Sequence, residues 1–153
     1  MKATYLILAL LCVQNLPIAN AAPTGSINPA TTFENPVAQE KVVYHVNDSA
    51  VARIAMRNID NHLSAAGDTR IVVVTHGKGI DFLLDDAKDD KGIFAPQVAG
   101  LKAKGVEFRV CRNTLKGRNL TDNAVIMEAQ VVPSGVAEIG KLQSREGFVY
   151  LKP

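Results

Sequence analysis

From residue 41 onward the chain predicts an α/β domain: a mostly parallel, five-stranded sheet with helices on both faces, three layers in all. Two observations carry this. Short β-rich runs alternate with segments of helical periodicity, a pattern that calls for right-handed crossovers and parallel pairing. One of those runs, Arg70-Ile-Val-Val-Val-Thr75, is apolar on both faces, as a central parallel strand must be.

The elements follow in order. Lys41 to Asn47 is the first strand. Asp48 or Ser49 caps a helix in which Val51, Ile54, Ala55, Asn58, Ile59, His62, Leu63 and Ala66 recur at helical spacing, and Gly67 ends it. Arg70 to Thr75 is the second strand, followed by the turn His76-Gly-Lys-Gly79. Ile80 to Lys88 reads as a short helix or structured loop, and Phe94 to Lys104 as a helix closed by Gly105. Val106 to Val110 is the third strand. Asn113 to Asp122 begins as helix and becomes loop. Ala129 to Pro133 is the fourth strand. Gly135 to Arg145 is a helix with Val136, Ile139 and Leu142 facing in, and Phe148 to Leu151 is the last strand.

The amino-terminal segment reads differently. Lys2, the apolar run Tyr5 to Val13 and the A-x-A site Ala19-Asn20-Ala21 predict a signal peptide over residues 1–21, cut before Ala22. The run is too short to span a membrane. Export to the periplasm or the outside is the expectation, with Cys12 leaving in the removed segment. Residues 22–40 hold Pro23, Pro29 and Pro36 among small polar residues, which excludes a helix and predicts an extended arm or linker, or a disordered leader. Residues 41–153 form the domain.

Charge excludes some partners. The chain has 17 Lys and Arg against 15 Asp and Glu, and Lys2 is the one charged residue of the leader. A near-neutral remainder does not fit nucleic acid as a main partner, nor electrostatic attachment to a membrane after cleavage.

Without Cys12, Cys111 is the sole cysteine, so no disulfide forms within one mature chain and packing alone holds the fold. Cys111 stands where a strand ends and a helix begins. The helix dipole and the nearby Arg109, Arg112, Lys116 and Arg118 are expected to favour the thiolate, the reactive form. The alternative is a small buried hydrophobe. In sheets of this kind sites lie beyond the carboxyl ends of the strands. Those ends carry Asp48, then His76 and Lys78, then Cys111 with Arg112 and Asn113, then Ser134. His76 is a candidate base or cation partner for the thiol, Lys78 and Arg112 candidate anion holders. Thr114 reads as a helix-start residue, His45 within its apolar strand as a satisfied core histidine, and His62 as a structural histidine. No metal-ligand spacing, phosphate loop, dinucleotide fingerprint or Cys-x-x-Cys is present, so no metal and no cofactor is implied. The acidic run Asp85 to Lys91 lacks calcium-loop spacing and reads as a solvated face.

Val110-Cys111-x-Asn113-Thr114-Leu115-Lys116 resembles the strand-to-helix cysteine motif of the DsrE/DsrF-like sulfur-relay family. Val132-Pro133-Ser134-Gly135-Val136-Ala137-Glu138-Ile139, with Leu142-Gln143 and Gly147-Phe148, is similar to that family's carboxyl-terminal segment. The opening strand with Asp48, and Val72-Val-Val-Thr-His-Gly77, fit as well. The resemblance covers about residues 41 to 153. It implies a flavodoxin-like sheet, a homo-oligomer (trimer or hexamer), and a cysteine, Cys111, that carries persulfide sulfur. The expected function is that of an exported sulfur carrier or transferase working with a sulfane-sulfur donor or acceptor. The alternative is an oligomeric, non-enzymatic binding module for a small anion or a partner protein.

Overall fold

The computed structural model describes residues 39–153. The expected signal peptide and nearly all of the expected arm lie outside the described residues. Strands β1 (Lys41–Val46) and β2 (Arg70–Thr75) flank a 3-10 turn (Ser49–Val51) and helix α1 (Ala52–Ala65). After β2 come a 3-10 segment (Gly77–Leu83), the two-residue strands β3 (Lys88–Asp89) and β4 (Gly92–Ile93), and α2 (Ala95–Ala103). Then follow β5 (Glu107–Cys111), α3 (Arg112–Gly117), β6 (Ala129–Val132), α4 (Gly135–Glu146) and β7 (Val149–Leu151). The main sheet is five-stranded in the order β6-β5-β2-β1-β7, and every pairing in it is parallel.

Strand alternation sorts the core into two clusters. Val42, Tyr44, Val46, Ile71, Val73, Phe108 and Val110 face α1, α2 and the 3-10 segment. Val43, Val72 and Val74 face α4, packed on Ile139, Leu142 and Phe148. The helix α1 buries Ala52, Ala55, Met56 and Ile59, an i, i+3, i+4, i+7 stripe. Ile54 lies off that stripe and is 47% exposed.

Two expectations need correction. Val136 does not face in; it is 67% exposed. The inward stripe of α4 is Gly135, Ile139 and Leu142, because the side-chain-less first residue seats the helix against the sheet and so sets the phase. The acidic run is not simply a solvated face. Asp89 belongs to the β3–β4 hairpin and takes two hydrogen bonds from Arg53, at 3.0 and 2.8 Å. Arg53 also donates to the Gly92 carbonyl at 2.6 Å and lies 4.2 Å over the Phe94 ring, so one guanidinium pins the hairpin to α1. The segment after β2, read as a short helix or structured loop, is a 3-10 turn run over Gly77–Leu83, as that reading allows, with Gly79 against the end of β1.

That turn run needs glycine. Gly77 adopts φ +57, which L side chains resist. A Cβ on Gly79 would fall 2.0 Å from the Val46 carbonyl oxygen and 2.8 Å from Asn47 Cα, both backbone atoms. Gly79→Ala should therefore force the β1 and β2 edges apart and lower stability by about 3 kcal/mol or more. Chemical denaturation of the variant checks this, with unchanged stability the contrary result.

Candidate functional site

Cys111 closes β5 and serves as the N-cap of α3, with extended backbone. Its side chain is 5% exposed. Burial pushes the thiol pKa up. The Gly135 N–H, the Thr114 hydroxyl and the N–H groups of Thr114 and Asn113 donate to the sulfur and outweigh that effect, so the thiol sits below the ordinary cysteine range. The direction matches the sequence expectation, and so does one of its two causes, since the Asn113 and Thr114 N–H groups belong to the helix start. Three of the four cations expected around the thiol are committed elsewhere. Arg112 is bound to Asp122, with contacts at 3.1 and 2.6 Å. Arg109 is held by Glu107 and Glu138, and Arg118 by Asp81. A guanidinium on a long, flexible side chain goes to the nearest carboxylate, while backbone N–H groups at the turn have nowhere else to point.

Two elements complete the sulfur's surroundings. Thr114, read from sequence only as a helix-start residue, turns its hydroxyl to the sulfur and accepts a hydrogen bond from the Gly77 N–H at 3.1 Å. It thereby ties the loop after β2 to the start of α3. Gly135 opens α4, and Ser134 caps that helix through the Ala137 N–H at 3.4 Å. A Cβ at position 135 would stand 3.1 Å from Cys111 Cβ, 3.1 Å from the Thr75 carbonyl oxygen and 3.3 Å from His76 Cβ. Cys111 and His76 thus flank the same glycine.

The other candidates separate. Asn113 contributes its backbone N–H and leaves its side chain exposed. Lys78 lines a groove of about 730 Å³ with Gly77, Asp81, Thr114, Gly117 and Arg118, adjoining the cysteine through Thr114. Asp48 caps the turn after β1, accepting from the Ala50 N–H at 2.9 Å, and opens on a second groove that Lys78 and Asp81 also line. His62 takes a structural part, bonded to the Tyr44 hydroxyl at 3.0 Å. His45 is not a core histidine. It is part-exposed on the α4 face of β1, with Nε2 2.7 Å from His76 Nε2 and Nδ1 2.7 Å from the Tyr150 hydroxyl. Burial, then His76, then Lys152 lower its pKa, so the charged form is disfavoured. Sequence reading passed over Gly135, Thr114, His45 and Tyr150. The signal for Gly135 was its place just after a capping serine at a strand end; for His45, its parity on β1 opposite the other face's tyrosine and valines.

Residues 40–153 match the DsrE/DsrF-like family. The chain belongs to that family. This is a sulfur-relay-type family, and the α/β, flavodoxin-like sheet agrees with it. Among solved structures, a protein of unknown function from Methanobacterium thermoautotrophicum, MTH1491, superposes with TM-score 0.69 at 27% identity, covering 75% of this chain and all 100% of its own. The ychN protein from E. coli superposes with TM-score 0.57 at 14% identity over 74% of this chain and 99% of its own, a likeness of fold alone. No curated protein matches the chain.

The hydrogen bonds to sulfur make a reactivity prediction. A lowered thiol pKa keeps thiolate present to lower pH, and reactivity is lost as pH falls through the folded-state value; the associated stability is present above the unfolded value of about 8.5 and fades below it. Thr114→Val removes one donor at nearly constant shape. It should raise the midpoint of iodoacetamide alkylation against pH by about one unit. An unmoved midpoint would show that the hydroxyl does not act on the sulfur.

Proposed function

We propose that this DsrE-like protein is an exported sulfur carrier or transferase in which Cys111 takes up sulfane sulfur as a persulfide and passes it on. The observation that supports this most is the place of the thiol, at the carboxyl edge of the sheet, between the start of α3 and the closely packed Gly135 that opens α4, where nearby N–H groups lower its pKa. In the step, the Cys111 thiolate attacks the terminal sulfur of a persulfide or polysulfide donor. A sulfur–sulfur bond forms on Cys111, the donor's sulfur–sulfur bond breaks, and its electron pair leaves with the donor's remaining sulfur. The N–H groups that hold the thiolate then hold the persulfide anion. Transfer onward repeats the exchange with an acceptor thiolate. The groove at Lys78 and Thr114 is the approach we assign to the donor, with Lys78 facing its negative charge.

A second reading draws on one observation, the 5% exposure of Cys111. Here the cysteine is packed, and the protein is an oligomeric binding module for a small anion or partner protein. The two readings part on chemistry. The protein treated with inorganic polysulfide near neutral pH should gain about 32 mass units per sulfur atom, the increment expected of thiolate exchange. Cys111→Ser should lose the adduct and keep the fold. Native protein that alkylates at the rate of an ordinary thiol and forms no persulfide would leave the binding module.

Export and self-assembly belong to the same proposal. The exported form should begin at Ala22 on amino-terminal sequencing and run as a homo-oligomer, a trimer or hexamer, in light scattering. An intact Met1 would remove the oxidising compartment from the argument and restore Cys12 as a second thiol; a monomer at micromolar concentration would remove the assembly.

A further inference from the structure

Strand parity places four chemically active side chains in one row. In β2 the residues facing α4 are Val72 and Val74, and the extended backbone of His76 carries the same parity two residues on. In β1 they are Val43 and then His45. In β5, Arg109 reaches Glu138 on α4, so Cys111, two residues later, shares that face. Thr75 pairs with Val110, which sets His76 and Cys111 side by side one residue past the ladder. Since β5, β2, β1 and β7 are consecutive in the sheet, Cys111, His76, His45 and Tyr150 come from four neighbouring strands in order. Three of them are already linked, at 2.7 Å from Tyr150 to His45 and 2.7 Å from His45 to His76.

Two facing imidazole nitrogens at that distance share a single proton. The pair therefore holds one added proton and not two. When His76 carries it, His76 Nε2–H donates to His45 Nε2, and His45 Nδ1–H donates to the Tyr150 oxygen. The surroundings agree with a limit of one positive charge. Facing the pair are Cys111 on β5, Tyr150 and Lys152 at β7, and the Gly135, Ile139 and Leu142 stripe of α4, whose Glu138 is already held by Arg109.

We propose that His45 and His76 form a one-proton relay for Cys111, with Tyr150 as its outer end. The inference rests on Cys111 as the reacting thiol. The thiol proton passes to His76, and the shared hydrogen bond with His45 spreads the charge. The thiolate attacks the sulfane sulfur, and the donor's sulfur leaves with the electron pair of the broken sulfur–sulfur bond. That leaving sulfur takes the proton back from the pair, so the relay ends as it began. His76 stands beside Cys111 in adjacent register, both against Gly135, and is the group proposed to take the proton; His45 and Tyr150 act through it as positioning residues.

Alkylation of Cys111 by iodoacetamide, followed from pH 4 to 10, tests the relay without any sulfur donor, so its outcome is separate from whether persulfide forms. His45→Phe removes the acceptor for the His76 proton. The alkylation midpoint should rise by about one unit, making the reaction about tenfold slower at a fixed pH below it. His45→Gln, whose amide oxygen accepts the same hydrogen bond, should restore most of the loss. Identical profiles for wild type and His45→Phe would overturn the relay, as would a shift that His45→Gln leaves unchanged, since packing alone would then explain it. A reciprocal measurement covers the case in which neither variant folds. Nitrogen-15 spectra of the imidazoles in wild type and Cys111→Ser should show the His76 titration displaced when the thiol is gone; superimposable titrations overturn the proposal.

Discussion

The first turn of α4 rests directly on the carboxyl edge of the sheet, and the site exists because it does. A side chain at position 135 would crowd its neighbours, with Cys111 Cβ and the Thr75 carbonyl each 3.1 Å from where it would start. The close approach delivers the Gly135 N–H to the sulfur. It also sets the phase of α4, so that Ile139 and Leu142 bury and Val136 faces outward. One absent side chain thus controls helix packing, the electrostatics of the thiol and the space that His76 and Cys111 share.

The helix is held there by charge. Arg109, 9% exposed, crosses from β5 to Glu138 in the first turn of α4 and to Glu107 on its own strand. A part-buried ion pair adds little net stability once desolvation is counted, but loss of one partner leaves the other charge stranded. Its effect is positional: it fixes α4 over β5 in the register that puts Gly135 beside Cys111. The Thr75 hydroxyl adds a buried bond to the Arg109 carbonyl at 3.3 Å, locking β2 to β5 at the same level. A second glycine contact, Gly79 against the Val46 carbonyl, closes the adjacent loop under β1. The thiol therefore sits among groups that cannot relax away, which is the condition for backbone N–H groups to stabilise an anion.

The electrostatics of the thiol separate the two causes offered by the sequence: the helix start acts on the sulfur, and the arginines do not. Arg109, Arg112 and Arg118 are near Cys111 along the chain, yet each finds a carboxylate first: Glu107 and Glu138, Asp122, and Asp81. Closeness in sequence does not orient a long side chain. The donors that do act on the sulfur are short and constrained: the backbone N–H groups of Asn113, Thr114 and Gly135, and one hydroxyl on the first turn of α3.

Hydrophobic periodicity, turn chemistry and the position of Cys111 at a strand end are local properties, and they determined the α/β class, the five parallel strands and the edge on which the site lies. A strand's parity and a cap's residue type are set within a few residues of chain, so these were legible in the sequence itself. What meets what across that edge was decided by strand order. Nothing in the sequence says that β1 lies between β2 and β7, and that neighbourhood is what joins His45 to both His76 and Tyr150. The same holds for Gly135, an ordinary helix start by sequence, which becomes a close contact of Cys111 and Thr75 only when α4 packs back onto the ends of β2 and β5. Side-chain chemistry is written in the chain; its juxtaposition depends on long-range pairing, and only the folded sheet supplies that.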